Sequence, residues 1–191
     1  MDETPPVLIA LAGSNGAGKT TFYRQLLSDK GLPFVNADVL ADEMKLGPYE
    51  AASIADDIRR LKFERRESFI METVFSDPVG AKIQFLKEAS EVGFAVTLFF
   101  IGLESPGLSA MRVGARVKAG GHDVPKEKLM ARYERTLANL KRAILLLPRI
   151  IVYDNSSYES PYRLLGEFKN GRWFPTAEAP TLGWFANICE N

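Results

Sequence analysis

The sequence predicts an α/β fold of three layers, with a mainly parallel five-stranded sheet between helices and a helical, arginine-bearing lid. Three observations predict it. Apolar runs alternate with amphipathic stretches, the pattern of parallel strands joined by crossover helices. The first run leads directly into a glycine-rich loop that opens a helix. Proline and glycine pairs punctuate the chain between the runs, where helices begin and end.

Val7 to Ala12 is the first strand, and Lys19 to Lys30 reads as the helix behind it, with Phe22 and Leu26 inward and Gly31 as its stop. Phe34 to Ala37 is the second strand. After Gly47-Pro48, Ala51, Ile54, Ala55, Ile58 and Leu61 recur at helical spacing. Phe69 to Met71 is the third strand, and Asp77-Pro78 supplies an N-cap and a first-turn proline for a helix ending near Gly93. Phe94 to Ile101 is the fourth strand. Ser105-Pro106 opens a helix running to about Ala119, which Gly120-Gly121 breaks. From Val124-Pro125 a long helix turns Leu129, Tyr133, Leu137, Leu140, Ile144 and Leu147 inward and Arg132, Arg135, Asn139 and Arg142 outward, until Pro148 ends it. Arg149 to Tyr153 is the fifth strand. Leu164 to Phe168 and Arg172 to Phe174 flank Asn170-Gly171, a dipeptide suited to a type I′ hairpin turn. Trp184 and Phe185 are expected to pack against the body. Residues 1–191 thus read as a single domain, with the lid over roughly 112–135 and a hairpin and tail over roughly 160–191.

Composition narrows the functions this fold could carry. Of 191 residues 46% are hydrophobic and 25% charged, which is enough for one sizeable core. Basic and acidic residues balance at 24 each, so nothing draws the whole molecule to nucleic acid or an anionic membrane. No aromatic and basic platform for a polynucleotide is evident. The longest apolar stretch, Phe94 to Leu103, is about half of the roughly 20 residues that span a bilayer. The acidic N-terminus resembles no export signal, and the single cysteine, Cys189, suits a reducing compartment, so a cytoplasmic location is expected.

The chemistry concentrates in Gly13-Ser14-Asn15-Gly16-Ala17-Gly18-Lys19-Thr20. Glycines at these spacings let backbone amides close on phosphate oxygens, and the following helix points its dipole at the same charge. In such a P-loop Lys19 neutralises β- and γ-oxygens, Thr20 ligates Mg²⁺, and Thr21 completes the nucleotide-facing set, so ATP and Mg²⁺ are the expected cofactors. No Asn-Lys-x-Asp guanine signature and no Leu-Ser-Gly-Gly-Gln segment occurs, which leaves a kinase as the favoured class. The rival is a module that binds or hydrolyses ATP without a small-molecule acceptor.

In a parallel sheet the carboxyl ends of the strands open onto the ligand crevice. Asp38, after the second strand, is there the candidate to orient or deprotonate an attacking hydroxyl, and a helix N-cap in Asn36-Ala37-Asp38 is its structural alternative. Glu72, at the end of the third strand, could hold a water on Mg²⁺ or a substrate hydroxyl, or serve as a buried acceptor. Arg112 and Arg116 share a helix face, and Arg132 and Arg135 follow the glycine break, an arrangement suited to a lid that brings guanidinium groups to a transferring phosphoryl group. His122, in the glycine tip, and Asp154-Asn155-Ser156, near an adenine position, are weaker signals.

These residues resemble the zeta toxin family of P-loop kinases. The likeness is carried by the phosphate loop, Asn36-Ala37-Asp38, Glu72-Thr73, and the string from Arg112 and Arg116 through Gly120-Gly121-His122-Asp123-Val124-Pro125 to Arg132-Tyr133-Glu134-Arg135 and Asn139-Leu140. The resemblance implies that Asp38 is the catalytic base, Glu72 and Thr73 contact substrate with Arg112 beside them, and Arg116 and Arg132 are the lid arginines. It also implies a small-molecule hydroxyl acceptor such as UDP-N-acetylglucosamine, which the better-known members phosphorylate, and an antitoxin protein as a partner to look for.

Overall fold

A computed structural model describes residues 4–118, 125–176 and 183–189. Its centre is a sheet whose strands lie in the order β2 (Phe34–Val35), β3 (Phe69–Thr73), β1 (Val7–Ala12), β4 (Ala95–Gly102), β5 (Arg149–Asp154), β6 (Arg163–Lys169) and β7 (Arg172–Pro175). β1 (Val7–Ala12) lies between β3 (Phe69–Thr73) and β4 (Ala95–Gly102), parallel to both, with Leu11 opposite Glu72 and Ala12 opposite Thr73. β2 (Phe34–Val35) and β5 (Arg149–Asp154) extend the parallel part on either side. The five expected strands therefore all form. The Asn170-Gly171 turn, with φ of 47° and 78°, closes β6 (Arg163–Lys169) on β7 (Arg172–Pro175), and this hairpin joins β5 antiparallel, making the sheet seven-stranded.

Alternation along β1 separates two cores. Leu8, Ala10 and Ala12 face a layer formed by α3 (Pro48–Glu64), α4 (Ala81–Glu91), α6 (Lys126–Leu146) and α7 (Gly183–Cys189). Ile9 and Leu11 face α1 (Lys19–Phe22), the turns that continue it, and Leu108 of α5 (Pro106–Lys118). That is the expected three-layer arrangement. No helix among the described residues is long and apolar enough to cross a membrane. Trp184 and Phe185 are buried, and the Trp184 indole donates to Asp154 Oδ1 at 3.0 Å, so α7 is fastened to the end of β5.

Several local expectations are corrected. After Phe22 the helix widens into a π turn (Tyr23–Leu27) and tightens into a 3₁₀ turn (Ser28–Lys30). The wide turn sets residues five apart beneath one another, so Leu27 (3% exposed) packs under Phe22 while Leu26 (53%) faces out. The second strand stops at Val35, because the Asn36 carboxamide accepts from the amides of Asp38 and Val39 and caps a helix that periodicity had not revealed, α2 (Ala37–Met44). Pro78 does not begin a helix: α4 starts at Ala81, whose amide donates back to the Asp77 carboxylate. On α3 the inward stripe is Ala51, Ala55 and Arg59, with Leu61 exposed. Asn139 on α6 is turned inward, not outward, because its amide is needed by backbone carbonyls described below.

Candidate active site

The chain leaves β1 toward β2 and β3 and leaves β4 toward β5, so the crevice of the sheet opens between the ends of β1 and β4. Residues 13–20 fill that position. Gly13, Gly16 and Gly18 have φ of 147°, 71° and 89°. A Cβ on Gly13 would stand 2.3 Å from the Ile101 carbonyl oxygen of β4, and one on Gly18 would stand 2.7 Å from Asn155 Nδ2. Glycine is thus required by backbone angle and by crowding together.

Neighbouring elements hold the loop. Ser109 Oγ of α5 donates to Asn15 O at 2.7 Å, Asn155 Nδ2 to Ala17 O at 2.9 Å and Tyr162 Oη to Gly18 O at 2.9 Å. Arg112 donates to the carbonyls of Asn155 (2.7 Å) and Ser156 (3.3 Å) and lies over the Tyr158 ring. The first half of α5 is therefore bolted to the loop. Asp154 is a buried anchor, accepting from Ser156, Arg163 and Trp184.

Lys19 is buried and donates to Gly13 O (3.0 Å) and Ser14 O (3.1 Å), with Glu72 Oε1 at 3.8 Å. Burial pushes its pKa down, the carboxylates of Glu72 and Asp38 push it back up, and Arg116 lowers it again. Three expected site residues from different elements thus act on one ammonium. Glu72 is the hub: its Oε2 accepts from Thr20 Oγ1 at 2.8 Å and from Asn36 Nδ2 at 2.7 Å. Asp38 sits in the first turn of α2, exposed at the crevice, and the cap role belongs to Asn36. Thr73 Oγ1 accepts from the Phe75 amide at 3.0 Å, a local turn contact. Thr21 is exposed beside the Tyr162 hydroxyl, whose pKa burial raises and a hydrogen bond with Thr21 lowers. Arg116 is exposed near the end of α5 and Arg132 half-buried in the second turn of α6, while the Gly120-Gly121-His122 tip lies outside the described residues.

The loop fits a polyphosphate. The buried Ser14 Oγ and Asn15 Oδ1 have no hydrogen-bond partner among the described residues, leaving polar atoms for a ligand to satisfy. The adjacent hydroxyl of Thr20 and carboxylate of Glu72 are hard oxygen donors of the type that Mg²⁺ shares with phosphates.

Four contributors were not assigned a role from sequence. Asn36 fixes both α2 and Glu72. Arg59 donates to Glu72 O at 2.9 Å and to Asp56 at 2.6 Å from beneath the site; its signal was a charge on the Ala51–Ala55 stripe. On α6, Thr136 and Asn139 lie on the same face as Tyr133 and Leu140, polar residues on an apolar face. The Tyr133 hydroxyl donates to Leu103 O at 2.7 Å, and burial first, then the charges of Glu104 and Asp154, pushes its pKa up to about 12.

A family profile described as zeta toxin matches residues 48–163, more than half of the chain, starting after the phosphate loop and Asp38. An uncharacterized protein of Haemophilus influenzae is 30% identical over 130 residues, covering 65% of this chain and 91% of that protein. Among solved structures, the AvrRxo1-ORF1:AvrRxo1-ORF2 assembly with sulphate ions aligns with a TM-score of 0.68 at 18% identity, covering 98% of this chain and 64% of its own. The same assembly with ATP gives a TM-score of 0.66 at 18% identity, covering 91% of this chain and 61% of its own. A structure from the PezAT chromosomal toxin–antitoxin system of Streptococcus pneumoniae gives 0.60 at 14% identity, covering 100% of this chain and 90% of its own. At these identities the structures speak for the fold, and the chain spans under two thirds of the AvrRxo1 chain it matches.

Proposed function

The chain belongs to the zeta toxin family of P-loop kinases, and from that premise we propose that it moves the γ-phosphoryl group of ATP to a hydroxyl of a small molecule. A sugar nucleotide such as UDP-N-acetylglucosamine is the first acceptor class to test. The observation that carries this reading is the hub at Glu72, which joins the phosphate loop through Thr20 to the Asp38 helix through Asn36. Through that link the helix that carries the exposed Asp38 is fixed beside the phosphate loop, which supports transfer to an acceptor over ATP binding alone.

In this reading the loop amides, Lys19 and residues 13–21 bind the triphosphate, and Thr20 with Glu72 would hold Mg²⁺. When bound, the metal would supply charge neutralisation on the phosphates. Asp38 accepts the proton of the acceptor hydroxyl, whose oxygen forms the new bond to the γ-phosphorus as the bond to the β–γ bridging oxygen breaks and ADP leaves. Glu72 and Thr73 orient the acceptor, with Arg112 beside the loop. Arg116 and Arg132 meet the charge on the transferring group from a lid over roughly 112–135 of a single domain. Membership of the family also supports an antitoxin protein as partner.

The test is ADP formation with and without an added hydroxyl acceptor, across sugar nucleotides and simpler sugars. Acceptor-dependent ADP release with a phosphorylated product is expected. ATP consumption that is equal without an acceptor would make the protein a hydrolysing module.

A further inference from the structure

Immediately after Glu72 and Thr73 the chain turns through 74–77, and three side chains of α6 take hold of that turn by its backbone. Thr136 Oγ1 lies 2.9 Å from Val74 O, Asn139 Nδ2 donates to Phe75 O (3.0 Å) and Asp77 O (2.9 Å), and Arg135 Nε donates to Ser76 O (2.9 Å). Four consecutive carbonyls are thereby engaged by one helix. The Thr136 hydroxyl is also 2.8 Å from Arg132 O; its single proton is shared by the two carbonyls, so the turn and the residue that carries the candidate lid guanidinium meet at one hydroxyl.

A second observation shows that the grip is needed. Phe75 has φ of 63° and a fully buried ring. A bulky residue in the left-handed region persists only where its surroundings over-determine it, and here both flanking carbonyls and its own are fixed from α6. Asn139 is itself buried, and a carboxamide turned from solvent to donate twice serves no need of its own helix.

We propose that Arg135, Thr136 and Asn139 are positioning residues: a backbone clamp that locks the strand end bearing Glu72 to the turn of α6 bearing Arg132. The acceptor side of the crevice and the lid arginine then move as one body. The catalytic half of this inference rests on the phosphotransferase reading; the clamp itself does not.

The experiment compares Asn139→Ala with Ala143→Gly, which weakens the same helix without touching a carbonyl. Amide hydrogen exchange across 74–80, in the absence of any ligand, is expected to speed up by roughly tenfold in Asn139→Ala and to stay near wild type in Ala143→Gly. With UDP-N-acetylglucosamine as the acceptor probe, turnover is expected to fall by roughly tenfold in Asn139→Ala while calorimetric ATP affinity stays within about twofold. Equal exchange in the two variants, or a turnover loss matched by lost ATP affinity, overturns the clamp. If wild type shows no acceptor-dependent turnover, the choice of acceptor or the kinase reading falls, and the exchange comparison decides the clamp alone. Should Asn139→Ala not fold, Thr136→Val, which deletes one hydroxyl at constant volume, takes its place with the same readouts.

Discussion

The Lys19 ammonium stands 3.8 Å from Glu72 Oε1 but donates its hydrogen bonds to the carbonyls of Gly13 and Ser14. Glu72 therefore supports the lysine's charge through space, while its other oxygen is bonded to Thr20 and Asn36. Removing that charge has a sign that can be checked. Burial disfavours the protonated lysine, and Glu72 is the larger of the two carboxylate influences that restore it. In Glu72→Gln the lysine loses its proton at a lower pH than in wild type. Magnesium-free ATP affinity, measured calorimetrically between about pH 7 and 10, is expected to decline earlier on the alkaline side in the variant. Superimposable curves would disconnect the two residues. Lys19→Ala should lose affinity and turnover together at every pH.

Asp38 and Asn36 let the proposed chemistry be tested apart from capping. Because the cap is Asn36, Asp38→Asn is expected to leave melting temperature and ATP affinity near wild type while turnover drops by roughly 10² to 10⁴. Asn36→Ala should lose about 1 kcal/mol from the cap and, by freeing Glu72, some turnover as well. Thermal melts beside initial rates distinguish the pair; near wild-type turnover in Asp38→Asn would remove it from the mechanism and leave Glu72 as the next carboxylate to test.

In the proposed reaction Arg116 and Arg132 would act on charge that grows during transfer. Arg116→Ala and Arg132→Ala are expected to lower kcat by roughly tenfold or more and to change ATP affinity by less than about threefold. Equal losses in both quantities would make them ground-state binding residues.

Gly18→Ala tests the crowding around the loop. At φ of 89°, with Asn155 Nδ2 2.7 Å and Tyr162 Oη 2.8 Å from the new methyl, the variant should lose roughly 1–3 kcal/mol in denaturant unfolding and bind ATP more weakly. Gly31→Ala, with a comparable φ of 64° and open space around it, controls for backbone angle alone. Equal stability in both would show that Asn155 and Tyr162 yield readily.

Sequence pattern was most informative where one residue's surroundings are local. Strand runs, the phosphate loop and the Asn170-Gly171 turn each depend on neighbours a few positions away. It failed where a distant group decides. Leu26 and Leu27 exchange places because a π turn follows Phe22, and no apolar period records that widening. Asn139 reads as solvent-facing by charge pattern, yet carbonyls 62 and 64 residues earlier draw it inward. Arg59 and Asn36 likewise owe their roles to Glu72, which no spacing within their own helices reveals.

The bonds from Asn155 to Ala17 and from Tyr162 to Gly18 bridge 138 and 144 positions of chain. During synthesis the phosphate loop leaves the ribosome before the groups that fasten it, which emerge only after the five parallel strands have been made. A nascent chain ending short of Tyr162 carries the whole nucleotide motif and lacks part of its support. Full support of the loop consequently waits for Asn155 and Tyr162, and the slow, long-range closure that such distant contacts impose falls on the phosphate loop itself.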